Sequence, residues 1–122
     1  MRVVLLGTVT CNNLDDSTIT LSIGAFIQTF SVTNLPSSTA QGFVMELFYV
    51  CRTAGASSSV SVTGSFTLTD SAAPQSAHVY VFPTNTISGF NSASSQVFNI
   101  QNTWAQSGST VVVQTNTAYY LN

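Results

Sequence analysis

The sequence predicts an all-β protein: a single antiparallel β-sandwich, jelly-roll-like, of about nine short strands, with residues 1–122 forming one domain. Three observations predict it. In Ser58–Thr69, SSVSVTGSFTLT, Val60, Val62, Phe66 and Leu68 share one parity, while Ser59, Ser61, Thr63, Ser65, Thr67 and Thr69 share the other. Side chains alternate across a strand, so this stretch has one oily face and one hydroxyl face. Second, apolar runs recur at spacings of roughly 8 to 15 residues between turn-forming clusters, the pattern of sandwiches and barrels. Third, no segment of useful length carries a helical period.

Taken in order, residues 2–10, RVVLLGTVT, are β-prone and give a first strand. Residues 11–17, CNNLDDS, form a turn, because Asn and Asp bond their own backbone. Ile19, Leu21 and Ile23 alternate with Thr18, Thr20 and Ser22 until Gly24 breaks the run. Residues 25–33 follow as a strand with Phe26, Phe30 and Val32 on one face, and the pair joined at Gly24 reads as a hairpin. Residues 34–41 read as a loop anchored by Pro36.

Residues 43–52, FVMELFYVCR, are the most apolar run. Met45, Glu46 and Leu47 would suit a short helix, but the Phe, Tyr, Val and Cys that follow favour a strand. Both of its faces are greasy, which predicts a central strand covered on each side. In the next strand, 58–69, Gly64 takes an apolar position and marks a bulge or a close backbone approach. Residues 70–75 make a turn with Pro74. Residues 77–82 are a short strand that Pro83 ends. Residues 83–95 read as an exposed polar loop, 96–101 and 109–115 as strands separated by 102–108, Asn116 and Thr117 as a turn, and 118–121 as a last strand.

Charge is the unusual quantity. Charged residues make up 5% of the chain, where soluble domains carry about 25%. They are Arg2, Arg52, Asp15, Asp16, Glu46 and Asp70, for a net charge of −2. The 35 serines and threonines supply polarity instead. Hydroxyls keep a β surface wet but remove the charge that normally blocks edge-to-edge contact. The expected partners are therefore copies of the same chain. Two separate arginines cannot provide the cationic cluster that phosphate backbones require, so no nucleic acid is expected. No run approaches 18 apolar residues, so no membrane insertion is expected. The apolar run Val3–Leu6 is too short for a secretion signal. A chain starting naturally at Met1 is then made in the cytoplasm without general secretion.

Few residues offer chemistry, and the chain reads as no enzyme. His78 lies within an alternating strand and reads as structural; a Ser-His-Asp set from His78, Asp70 and one of so many serines carries no information. Cys11, Cys51 and His78 lack the paired spacing of zinc sites. Asp15 and Asp16 beside Asn12 and Asn13 could hold calcium but read as an Asx-rich turn, so no metal or cofactor is expected. Cys11 and Cys51 are either a disulfide, tying the first strand to the fourth, or two buried small hydrophobes. Glu46 has Arg2 and Arg52 as available partners. Phe90 with Asn91, and Asn102 with Thr103 and Trp104, combine an aromatic ring with amides and suit a glycan; the same residues suit an interface or the core. No Asn-X-Ser/Thr acceptor occurs.

The final segment, Ser107–Asn122, opens with Ser-Gly-Ser-Thr and closes with Asn-Thr-Ala-Tyr-Tyr-Leu around a valine-rich strand. In this it resembles stretches of phage and viral structural proteins, over about an eighth of the chain. The nearly uncharged, Ser/Thr/Asn-rich chain also resembles fibre heads and capsid decoration proteins. The resemblance implies an oligomeric structural subunit on a virion surface, in contact with other particle proteins and a host-surface glycan. No coiled coil or shaft repeat is present, which favours a capsid or decoration subunit over a complete fibre. Two alternatives remain: an extracellular filament in which Arg2–Thr10 is lent to a neighbour, and a small glycan-binding module.

Overall fold

The computed structural model describes residues 1–12, 14–23, 26–69, 77–94 and 97–119, except the side chains of Ile23, Phe26, Ile87, Phe90, Ala118 and Tyr119. The described chain forms eight strands: β1 (Arg2–Cys11), β2 (Asp15–Ile23), β3 (Phe26–Leu35), β4 (Ser38–Cys51), β5 (Ser58–Thr69), β6 (Ala77–Phe90), β7 (Phe98–Trp104) and β8 (Thr110–Tyr119). They build two antiparallel sheets, β6-β5-β4-β1-β8 and β3-β2-β7. The all-β, sandwich-like expectation holds.

The two inner faces supply one core. Val3, Leu5 and Val9 of β1, Leu47 of β4 and Val62 and Leu68 of β5 meet Leu21, Phe30 and Val32 of the smaller sheet. Phe30 stacks on Phe82 of β6 with ring centroids 4.3 Å apart, and Tyr49 of β4 meets Phe98 of β7 edge-on at 5.5 Å. Each fully buried Leu, Val or Phe contributes roughly 1.5–3 kcal/mol, so this shared face is the main source of stability.

β5 begins and ends at the residues expected, and Val60, Val62, Phe66 and Leu68 are all buried. Gly64 serves both anticipated purposes. A Cβ there would overlap the carbonyl oxygen of Glu46 on β4, and the β5–β6 register shifts between Val62 and Gly64. β2 and β3 are the expected hairpin, with Ile23 opposite Phe26; Gly24 and Ala25 at its tip lie outside the described residues.

Several boundaries differ, each for a physical reason. β3 and β4 absorb most of residues 34–41, leaving Pro36 and Ser37 as the connection; Asn34 and Ala40 take positive φ, 55° and 49°, within these strands. β6 does not stop at Pro83 but runs to Phe90. It is an edge strand, and Pro83 sits opposite the register shift, where a missing N–H costs no ladder bond. Residues 91–94, which follow β6, are exposed. β7 continues through Asn102–Trp104. Asn116 and Thr117 are not a turn: they pair with Leu5 and Val4, and β8 reaches Tyr119. A shift opposite Leu6–Gly7 puts an extra residue into β8. The turn expected at 70–75 lies outside the described residues.

β4 is central, between β1 and β5, as expected. It is not covered on both sides. Phe43, Met45, Leu47 and Tyr49 are buried, whereas Val44 and Val50 are 39% and 53% exposed. β1 is equally central, and the Met1 ammonium group donates to the Tyr49 carbonyl at 2.8 Å.

Candidate functional site

The uncovered surface is the outer face of the five-stranded sheet. Alternation sends Val4 and Leu6 of β1, and Val44, Phe48 and Val50 of β4, to the side opposite the core. Register aligns them into rows. One row runs Thr115, Leu6, Val44, Thr67, Val79; the next runs Thr117, Val4, Glu46, Ser65, Val81. Val79 and Val81 are 57% and 74% exposed, and Val112, beside Thr8, is 55% exposed.

Among the described residues of these five strands, Arg2 and Glu46 are the only guanidinium and carboxylate, and they form an ion pair on this face. Arg2 also lies over the Phe48 ring, 5.9 Å from its centroid. Glu46 thus has one of its anticipated partners. The other, Arg52, sits at the corner of the face and donates from Nε to Ser61 Oγ at 2.7 Å. The pair leaves the face locally neutral, bearing valines, leucine and hydroxyls.

The two alternative groups of residues proposed for a glycan lie apart. β6 ends at Phe90, whose side chain lies outside the described residues. Asn91 is exposed and its Oδ1 accepts from the Ala93 N–H at 3.0 Å, an Asx turn. This turn lies beside Gly55, whose carbonyl accepts from the Ser92 N–H. Asn102 and Trp104 share the inner face of β7, and Trp104 packs against the core. Trp104 pairs with Ser17, whose strand begins at Asp15, at the opposite end of the sandwich from Gly55. Asn102 Oδ1 accepts from Ser17 Oγ.

Cys11 and Cys51 are not bridged. Cys11 is opposite Ser38, at the far end of β4 from Cys51. Thirteen residue steps along the strand separate those positions, roughly 40 Å, whereas a disulfide needs Cα atoms about 5.5 Å apart. Cys11 is the buried small hydrophobe anticipated; Cys51 is exposed. Burial pushes the Cys11 thiol up from its ordinary value.

The Asp-rich run is a structural corner. Asp15 is fully buried and accepts from Ser109 Oγ at 2.5 Å and from the N–H groups of Gln106 and Asp16 at 3.0 and 2.9 Å. Asp16 accepts from the Asn34 N–H at 2.8 Å. The Ser109 and Gln106 bonds join the start of β2 to the β7–β8 connection, and the Asn34 bond joins β2 to β3. Asp15 reads from the sequence as a turn residue; nothing there links it to Ser109. Among the described residues no cluster of three His, Cys, Asp or Glu side chains could hold a metal ion. His78 lies within β6, opposite Leu68 on β5.

No helix among the described residues is long and apolar enough to cross a membrane. No protein-family model, no curated protein and no solved structure matches the chain.

Proposed function

We propose that the chain is a non-enzymatic structural subunit of a virus or phage particle, a capsid or decoration protein that packs against copies of itself through the outer face of its five-stranded sheet. The observation that carries the self-association is that face: apolar at Leu6, Val44, Val79, Val81 and Val112, with its one ion pair internally neutralised. Five strands about 4.8 Å apart and ten residues of β1 at about 3.4 Å give a projected area of roughly 800 Å². A stable interface needs about that much per partner. The resemblance of Ser107–Asn122 to virion proteins supports the reading of a particle subunit at the virion surface.

Strand exchange is the second reading. It asks β1 to leave the centre of a sheet in which both its edges are paired, so face-to-face contact is preferred. Sedimentation velocity from 1 to 100 μM tests the proposal. A dimer or larger closed species is expected, and Val44→Lys with Val81→Lys should return it to a monomer. A wild-type monomer at every concentration and salt level refutes the assembly reading.

A further inference from the structure

Among the described strands, β7 and β8 are edges of their sheets and do not pair with each other. Behind them lies a cleft of about 340 Å³ reaching into the core. Its floor is Leu5, Phe43, Met45 and Phe66, each 5% exposed or less. Its exposed lining residues, which mark the mouth, are Val113, half-exposed, and the amides Asn99 and Asn116. The extra residue in β8 makes this mouth: it resets the alternation so that Asn116 pairs with inward-facing Leu5. Among the described residues no ionisable side chain lines the cleft. On its wall, Asn102 Nδ2 is buried with no hydrogen-bond partner among the described residues.

We propose that this cleft binds an uncharged, elongated apolar molecule with one hydrogen-bond acceptor, of the size and chemistry of a medium-chain alcohol or ketone. The volume lies in the range of small-molecule sites, which are apolar with a few placed polar groups. A dry 150 Å³ cavity holds benzene, so 340 Å³ holds about a dozen non-hydrogen atoms. The amides offer N–H donors to a carbonyl or hydroxyl oxygen. A carboxylate would enter without a cation to pair it, so the head group is neutral.

The test is methyl NMR of the intact chain titrated with 1-decanol and, separately, with decanoate at pH 7. Decanol should shift the Leu5, Ile19, Ile100 and Val113 methyls saturably, with a Kd on the order of tens of micromolar. Decanoate should bind at least tenfold more weakly. Val113→Phe and Asn116→Trp, both at the mouth, should each weaken decanol at least tenfold while the core resonances of Leu47 and Val62 stay dispersed; if one does not fold, the other decides. No decanol shift up to its solubility limit overturns the proposal. So does equal binding of decanoate, undiminished binding by a folded variant, or movement of the cleft methyls with protein concentration alone, which would mean that a second copy fills the cleft. Shifts confined to Leu6, Val44 and Val81 would place the alcohol on the outer face and also overturn it. Sedimentation reads the assembly separately, so either idea can fail alone.

Discussion

Replacing Gly64 with alanine puts a methyl group where the Glu46 carbonyl already lies, with Leu47 Cδ2 3.0 Å away on the same strand. The obstacle is backbone, so no rotamer change relieves it. β4 must move away from β5 at the middle of a nine-residue ladder, Phe43–Cys51 against Val60–Leu68. Overpacking of this kind costs about 1–3 kcal/mol, and loosening one ladder bond adds about 1 kcal/mol. Restricting the unfolded chain returns about 0.4–1 kcal/mol. The expected net loss is about 2–3 kcal/mol, a fall in Tm of about 10 °C for a domain of this size. Gly42→Ala is the matched control: its Cβ would meet only Thr69 Oγ1, at an ordinary 3.6 Å. Urea denaturation followed by Trp104 fluorescence should separate the two variants, with Gly42→Ala within about 0.5 kcal/mol of the parent. If Gly64→Ala is as stable as Gly42→Ala, the close-approach argument fails, and with it the reason given for glycine at that parity.

Three further outcomes follow from which side chains are buried and which are exposed. The Tyr49 hydroxyl is buried without a partner among the described residues, and burial holds its pKa well above the ordinary 10.0. The neutral phenol is favoured in the fold, so its contribution is intact below pH 10 and is lost as pH rises beyond it. Tyr49→Phe should therefore add about 1 kcal/mol at neutral pH and move alkaline unfolding, read by circular dichroism, to higher pH. Asp15→Asn turns one acceptor oxygen into a donor facing Ser109 Oγ or the Gln106 N–H. It should cost about 2–3 kcal/mol in urea denaturation, and a neutral result would remove the corner's structural role. A thiol reagent should label one cysteine in the folded protein, Cys51, and both in denaturant. Equal protection of both under native conditions would contradict the free, exposed placement of Cys51.

What the sequence determined by itself was the class of the protein and, where apolar and polar residues alternate strictly, which face of a strand is buried. A period of two is a local property, so Ser58–Thr69 could announce its buried valines, Phe66 and Leu68 without knowing its neighbours. The shortage of charge was equally visible, because composition does not depend on folding. Position in a sheet is not local. Pro83 ends a central strand but not an edge, and only the order β6-β5-β4 makes β6 an edge. Asn116 looks like a turn former until β1 supplies Leu5 as its partner. The two greasy faces of β4 are indistinguishable in sequence, and the smaller sheet covers just one of them. Distance along the ladder, not spacing along the chain, keeps Cys11 from Cys51 and brings Asp15 to Ser109 across 94 residues. These are long-range choices, fixed by which strands pair and how far each register slides, and they decide which apolar surface becomes core and which is left facing outward.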